Sequence, residues 1–214
     1  MIETLQQIDV RLLHALNSGV ANTVFDWLMP WATELRHWAP FIIGGLLALA
    51  IFGGGKGRGA VLMAIILITA TDQLSSHLIK PLVARPRPCH DVEGLRVIYR
   101  CGRTFAFPSG HASNSMAAAI FFGLLYRRWL WPLVGLSALV SYSRIYLGIH
   151  YPSDILGGWI LGGGLAVAAY CLYQKPVRVW LNRYRLFRQT LTVPGGEETP
   201  VEPIHRKRPA ADME

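Results

Sequence analysis

Five long apolar runs occupy the middle of the chain, at residues 39–52, 60–82, 112–126, 130–147 and 155–173. Several approach the roughly 20 residues that a helix needs to cross the hydrocarbon core of a bilayer. The two shorter runs, 39–52 and 112–126, need flanking residues such as Trp38 and Trp129. A soluble bundle of buried core helices is the alternative, but so few internal charges make it hard to place in water. The pattern therefore predicts an all-α integral membrane bundle of about five transmembrane helices.

The first 38 residues follow a different pattern. Apolar residues recur there at helical spacing, beginning with Leu5 and Ile8, but Asp9 and Asp26 interrupt them. Charges are costly in hydrocarbon, so we expect one or two amphipathic helices lying in the membrane interface. A sixth, weakly hydrophobic span is the alternative. No basic segment precedes an apolar core, so we expect no cleavable signal peptide.

One membrane-embedded domain is expected over residues 1–192, without an internal repeat. It divides into the interfacial segment 1–38, a transmembrane core 39–174 and a basic juxtamembrane helix 175–192. Apolar residues alternate with arginines in the last segment, which is typical of a helix on an anionic leaflet, although a merely soluble segment fits equally well. Residues 193–214 are rich in Pro, Gly and charge, so we expect a disordered cytoplasmic tail.

The formal net charge of +8 is distributed in a way that argues against nucleic acid as a partner. Basic residues cluster in the loops at 53–59 and 127–129 and after residue 173. Five spans place these three clusters on one side, and the positive-inside rule makes that side cytoplasmic. The loops 83–111 and 148–154 then face the periplasm or exterior, although Arg85, Arg96 and other arginines there run against the rule. We therefore expect a multi-pass protein of the cell (inner) membrane.

The outer loop contains two of the three cysteines, Cys89 and Cys101, whereas Cys171 lies in a span. An oxidising compartment would allow a Cys89–Cys101 disulfide, and two free thiols are the alternative. His90 adjoins Cys89, but no recognised metal-ligand spacing follows, so no metal site is predicted.

Three separated segments carry groups that suit phosphoryl transfer, which needs positive charge on the phosphate oxygens, a nucleophile and a proton for the leaving oxygen. The first supplies the cations Lys80 and Arg87, for which snorkelling to the interface is the ordinary alternative. The second places Ser109 and Gly110 just before an apolar run, at a predicted helix N-terminus. Unpaired N–H groups there favour an anion, although Ser109 could simply be an N-cap.

The third segment contains Arg144, His150 and Asp154. The planar guanidinium of Arg144 suits bidentate binding of phosphate. Pro152 favours the first turn of the following helix, which places Asp154 in that turn and His150 just before it. A carboxylate that holds one imidazole nitrogen fixes the tautomer and leaves the other nitrogen free to attack.

Together the segments match K-x6-R-P, P-S-G-H and S-R-x5-H-x3-D at every fixed position. This order resembles the signature of the type 2 phosphatidic acid phosphatase family, which includes vanadium-dependent haloperoxidases. The resemblance implies that His150 is the nucleophile that forms a phosphohistidine, Asp154 its orienting partner and His111 the general acid. It also implies a set of phosphate ligands, namely Lys80, Arg87, Ser109, Gly110 and Arg144. No metal or other cofactor is needed in that scheme.

The resemblance therefore predicts a lipid phosphatase that acts on a phosphorylated lipid at the outer membrane face. Undecaprenyl diphosphate is the favoured substrate, and phosphatidylglycerophosphate, phosphatidic acid and lipid A are the other candidates. A lipid-to-lipid phosphotransferase and a non-catalytic lipid-binding or transport protein are alternatives, whereas the haloperoxidase branch is soluble and fits poorly. Asp72, Ser76 and His77 precede Lys80 on the same span, where a packing role and a supporting role are equally good interpretations.

Overall fold

A computed structural model describes the backbone of residues 2–191 and the side chains of residues 3–175. This part of the chain is helical and contains no strand, which confirms the predicted all-α class. The helices are α1 (Ile2–Asn17), α2 (Thr23–Thr33), α3 (Leu35–Phe52), α4 (Gly54–Gln73), α5 (Lys80–Val83), α6 (Pro88–Asp91), α7 (Gly110–Leu125), α8 (Leu130–Tyr146) and α9 (Pro152–Leu191). Residues Met1–Lys175 form one compact unit. The predicted tail at 193–214 lies outside the described residues, and the proposed domain boundaries stay a prediction.

Each of the five apolar runs forms one of the longer helices, α3, α4, α7, α8 and α9. Three segments of the described chain are long and apolar enough to cross a membrane: Leu35–Phe52, Gly54–Asp91 and Pro152–Lys175. Helices α7 and α8 are shorter, with 16 and 17 residues. Helix α3 has no buried residue, and its apolar side chains are exposed as expected for a surface in contact with lipid. The protein is thus an integral membrane helical bundle.

The loop predicted at 53–59 is much shorter in the structure. This glycine-rich segment contributes only Gly53 to the connection, and α4 begins at Gly54. Gly54 has a φ of +58°, which lets the chain reverse within one residue. A Cβ at Gly57 would lie 2.2 Å from the carbonyl oxygen of Leu49, so the glycines also let α3 and α4 approach closely.

The helical backbone continues past Lys80 although Pro81 follows it directly. A π-helical turn over Leu74–Ile79 leads from α4 into α5, which ends at Val83. Pro81 is tolerated because it lies in the first turn of α5, where a missing N–H costs little. The outer loop expected to be irregular also contains the single-turn helix α6.

Helix α7 contacts α9 through glycines. A Cβ at Gly162 would lie 2.0 Å from the carbonyl oxygen of Ser113, and a Cβ at Gly158 would lie 2.8 Å from that of Ser109. The four-residue spacing of these glycines allows the two backbones to touch, as in small-xxx-small pairs of membrane helices. As a result, the N-terminus of α7 lies against the N-terminus of α9, with the Ser109 N–H donating to the Asp154 carbonyl oxygen at 3.0 Å.

Helix α1 places polar residues on its buried side. Asp9 and Asn17 are buried together with Leu13, whereas Leu5 and Ile8 are exposed. The helical period of the sequence prediction is therefore present, with Leu13 packed in the bundle and Leu5 and Ile8 on the outer side of the helix. The amide of Asn17 donates to two backbone carbonyl oxygens of the bundle, at 2.6 and 2.8 Å, and so fixes α1 against α8 and the outer loop.

Candidate active site

The three predicted segments meet at one end of the bundle. Nη1 of Arg87, from the first segment, lies 3.4 Å from Nε2 of His150, from the third. The same Nη1 donates to the Ile149 carbonyl oxygen at 3.3 Å. The second segment joins them through the hydrogen bond from Ser109 to Asp154 described above. Residues as far apart in sequence as Arg87 and His150 are thus neighbours in the fold.

His150 and Asp154 form the pair that their spacing predicted. Both side chains are buried, and Nδ1 of His150 lies 3.3 Å from Oδ2 of Asp154. The same Oδ2 accepts the Tyr151 N–H at 2.8 Å. A carboxylate at Nδ1 favours the tautomer with the proton on Nδ1, and the Arg87 donor beside Nε2 favours the same assignment. The lone pair of Nε2 therefore points into the site.

The surroundings of His150 favour its neutral form. Burial lowers the pKa of the His150 imidazole well below its ordinary value of 6.5, and the guanidinium groups of Arg87 and Arg144 lower it further. A neutral imidazole is the form that can act as a nucleophile.

Lys80 and Arg87 are buried cations held inside the protein rather than at the interface. Arg87 is fixed by Thr104, whose carbonyl oxygen accepts from Nε at 2.7 Å and whose hydroxyl oxygen accepts from Nη2 at 2.9 Å. Lys80 is the first residue of α5, directly after the π-helical turn. Their burial does not fit the snorkelling alternative, which requires the charged ends to reach water.

Two buried donors in the site have no protein partner. The hydroxyl of Ser109 and Nε of Arg144 are unpaired, although Nη1 of Arg144 donates to the Thr33 hydroxyl at 2.7 Å. Ser109 is the N-cap residue of α7, yet its side chain makes no capping bond, so ordinary capping does not explain it. A buried donor without an acceptor costs about 1–3 kcal/mol. An oxyanion would supply both acceptors, and this donor set fits phosphate rather than a cation.

Gly110 and His111 complete the first turn of α7, where backbone N–H groups lack intrahelical partners. His111 is exposed, in contrast to the buried His150. The site therefore contains two imidazoles, the enclosed His150 and the more accessible His111, which is the number that a nucleophile and a proton donor for a departing group require.

Sequence reasoning missed Arg85, which contacts Asp154 from the side opposite His150. Its Nη1 donates to Oδ1 of Asp154 at 2.8 Å and to the Ser153 hydroxyl at 2.6 Å. Its Nη2 donates to Oδ2 of Asp9 at 2.6 Å, and the guanidinium carbon lies 3.8 Å from the centre of the Tyr151 ring. The available signal was Asp9 itself, an acidic residue at a position that the helical period of α1 assigns to the bundle.

The outer loop is closed by a disulfide between Cys89 and Cys101, whose Cα atoms are 6.2 Å apart. Ligand atoms of Cys89, His90 and Cys101 lie within 4.8 Å of one another. Since both thiols are used in the disulfide, this cluster does not fit a metal ion. Cys171 is free and exposed.

Comparison with known proteins places these features in a family. The PAP2 superfamily model matches residues 61–178. A lipid A 4'-phosphatase of Bacteroides thetaiotaomicron is 39% identical over 171 residues, covering 76% of each chain. The undecaprenyl-diphosphatase BcrC of Bacillus subtilis is 34% identical over 153 residues, covering 71% of this chain and 75% of the relative. The fold resembles a transmembrane PAP2-type phosphatidylglycerolphosphate phosphatase of Bacillus subtilis, with a TM-score of 0.67, 21% identity and coverage of 80% of this chain and 87% of the other.

Proposed function

Because this chain belongs to the PAP2 superfamily, whose similar curated members are lipid phosphatases, we propose that it removes phosphate from a lipid through a phosphohistidine at His150. The observation that supports this best is the pair of unpaired buried donors, Ser109 and Arg144, beside a neutral imidazole. Donors without an acceptor favour the binding of an oxyanion. A nucleophile in the same site favours transfer of the bound phosphoryl group over binding alone.

In the first step, the phosphate oxygens accept hydrogen bonds from Lys80, Arg87, Ser109, Arg144 and the α7 N-terminus, where Gly110 lets the backbone approach closely. Nε2 of His150 attacks phosphorus, a nitrogen–phosphorus bond forms and the bond from phosphorus to the leaving oxygen breaks. The leaving oxygen takes a proton from His111. Asp154 keeps its hydrogen bond to Nδ1 and stabilises the positive charge that the imidazole gains.

In the second step, His111 accepts a proton from water, and the oxygen of that water attacks phosphorus. The nitrogen–phosphorus bond breaks, its electron pair returns to Nε2, and inorganic phosphate leaves. His150 is again neutral and His111 again carries the proton that it donates in the next cycle. The cations supply the charge stabilisation, so we expect turnover in the presence of a chelator.

We propose a lipid A phosphate monoester as the first substrate to test, because the relative at 39% identity is a lipid A 4'-phosphatase. Undecaprenyl diphosphate, which the sequence analysis favoured, is the second candidate because BcrC is 34% identical over most of both chains. Both carry a terminal phosphate that the same donors would bind, so the groups that distinguish them lie outside the phosphate site.

We further propose that the site faces the periplasm or exterior from the cell (inner) membrane. The site residues lie at one end of the bundle, and the outer loop that contributes Arg87 to this end also carries the disulfide. The basic segments 53–59 and 127–129 lie where α3 meets α4 and where α7 meets α8, at the opposite ends of these helices, which is the arrangement that the positive-inside rule favours.

The decisive experiment measures phosphate release by purified protein in detergent with a chelator present. The panel contains lipid A, undecaprenyl diphosphate, phosphatidylglycerophosphate and phosphatidic acid. We expect wild-type protein to release phosphate, His150→Gln to lose about 10³-fold or more of kcat, and the control His14→Gln to stay near wild type.

Turnover by His150→Gln at the wild-type rate would contradict the phosphohistidine. Phosphate that appears on a second lipid instead of in solution would indicate the phosphotransferase. Binding without turnover by a folded wild-type protein would favour the non-catalytic alternative.

A further inference from the structure

An ion network behind the nucleophile connects α1 to the site. Asp9 of α1 accepts from Arg85 at 2.6 Å, and Arg85 donates to Oδ1 of Asp154 at 2.8 Å. Asp9 also accepts the backbone N–H of Ser153 at 2.9 Å and its hydroxyl. The result is one continuous chain of contacts, Asp9–Arg85–Asp154–His150.

The network fixes both oxygens of the Asp154 carboxylate. Arg85 holds Oδ1, while His150 Nδ1 and the Tyr151 N–H share Oδ2. Rotation of the carboxylate about its own axis would break contacts on both sides. The direction of the His150 ring is thus set by Arg85 as well as by Asp154, since the ring follows the oxygen that it contacts.

Arg85 is itself immobilised. Asp9 binds one end of its guanidinium, Asp154 and Ser153 bind the other, and the Tyr151 ring covers its face at 3.8 Å. A lysine cannot reproduce this geometry, because an ammonium is a compact charge without the planar fork that spans two carboxylates.

We propose that Asp9 and Arg85 are positioning residues for the reaction, which act by holding Asp154 in the orientation that directs Nε2 of His150 at phosphorus. Helix α1 is then part of the catalytic machinery rather than a membrane anchor alone. This inference rests on the proposed function, since it concerns the same nucleophile.

The structure offers a matched control for a purely structural role. Arg96 of the outer loop pairs with Asp26 of α2, with an Nη1 to Oδ1 distance of 2.7 Å, and therefore also ties an N-terminal helix to the bundle. Its other side-chain partner is the Tyr146 hydroxyl, and it makes no contact with Asp154 or His150. The Arg96–Asp26 pair is more exposed than the Arg85–Asp9 pair, and only the Arg85–Asp9 pair reaches the nucleophile through Asp154.

The test compares Arg85→Lys and Asp9→Asn with Arg96→Lys and Asp26→Asn in the phosphate-release assay, with the unfolding temperature of each variant measured alongside. We expect the first two to lose about 10- to 100-fold of kcat, the range found for groups that orient a ligating side chain, with KM changed less than about threefold. The control variants should keep kcat within about threefold, whatever they lose in unfolding temperature.

Two further measurements separate positioning from folding. Added guanidinium should restore part of the kcat of Arg85→Ala, which loss of fold would not allow. In an Asp154→Asn background, Arg85→Lys should cause little additional loss, because both changes act through one contact. Equal kcat losses in the two ion pairs, or fully additive losses with Asp154→Asn, would overturn the inference.

A readout without substrate keeps this inference distinct from the proposed function. The His150 ring ¹⁵N resonances, assigned by their loss in His150→Gln, should shift in Arg85→Lys and not in Arg96→Lys. If wild-type protein hydrolyses no lipid, the proposed function fails and this shift alone decides the positioning role. If wild-type protein hydrolyses lipid and Arg85→Lys changes neither kcat nor the resonances, only the positioning role fails.

Discussion

At the scale of single residues, the buried neutral state of His150 should be visible as a pH dependence of stability. Its pKa in the folded protein lies well below 6.5, so the unfolded chain binds the proton first as pH falls. Protonation then favours unfolding, and this contribution to stability is lost as pH falls below about 6.5. We expect the unfolding temperature in detergent to fall between pH 7 and pH 5, and to fall less in His150→Gln. If the unfolding temperature of the two proteins falls equally with pH, protonation of His150 does not destabilise the folded protein.

The unpaired hydroxyl of Ser109 should strengthen the binding of an anion, and it should lower the stability of the protein when no anion is bound. Without ligand, Ser109→Ala removes a buried donor that lacks an acceptor, and we expect unchanged stability or a gain of up to about 1 kcal/mol. With inorganic phosphate present, wild-type protein should gain more unfolding temperature than the variant, because a ligand stabilises the folded state according to its affinity. Ser115→Ala is the control, since that hydroxyl already pairs with Ser137 at 2.9 Å. An equal phosphate effect in all three proteins would place the anion elsewhere.

How much of this site the sequence predicts depends on how far apart the contacting residues are along the chain. His150 and Asp154 are four residues apart, so local helical geometry brings them together. Asp9 and Arg85 are separated by 76 residues, and Thr33 and Arg144 by 111, so their pairing depends on how α1 and α2 dock on the bundle. No periodicity contains that information. A buried position for Asp9 could be inferred from its place on the helical face, but its partner could not.

At the scale of helices, we expect that no side chain larger than that of glycine can be accommodated where α9 contacts α7. Gly162→Ala would place Cβ 2.0 Å from a backbone carbonyl oxygen of α7, and relieving that overlap requires the helices to separate. We expect a loss of about 1–3 kcal/mol in unfolding free energy, together with lower kcat because α7 and α9 both carry site residues.

The control for Gly162 lies two residues further along α9. A Cβ at Gly164 would meet nothing within 4 Å, so Gly164→Ala should be neutral or stabilising by about 0.5–1 kcal/mol through reduced backbone entropy. Chemical or thermal unfolding of the two variants provides the comparison. Similar behaviour of both would mean that α7 and α9 are not in backbone contact.

Helix boundaries show a second limit of the sequence. The apolar period predicted a helix that reached Lys80 but gave no indication of the π-helical turn over Leu74–Ile79. A π-helical turn winds more residues per turn and therefore changes which face the following side chains occupy. Lys80 is directed into the protein after this turn, although its position at the end of an apolar run equally suited an interfacial cation.

At the scale of the whole molecule, the predicted orientation can be tested by accessibility to a membrane-impermeant maleimide. In a Cys171→Ser background the two remaining cysteines are in the disulfide, so an introduced thiol is the only reactive one among the described residues. We expect Glu93→Cys to react from the outer face and Gly55→Cys to react only after the membrane is disrupted. The reversed labelling pattern would contradict an outward-facing site.

The disulfide connects orientation with stability, because it persists only on the oxidising side of the membrane. It closes a loop of 12 residues, which contributes on the order of 3 kcal/mol in the chain-entropy model. The loop begins two residues after Arg87, so a loosened loop also loosens a cation of the site. We expect dithiothreitol to lower the unfolding temperature and kcat of wild-type protein and of Cys171→Ser. The Cys89→Ser/Cys101→Ser variant should start with lower values of both quantities, and dithiothreitol should not change them. A wild-type protein insensitive to the reductant, with free thiols detected at both positions, would argue that this loop lies on the reducing side and that the orientation is the opposite one.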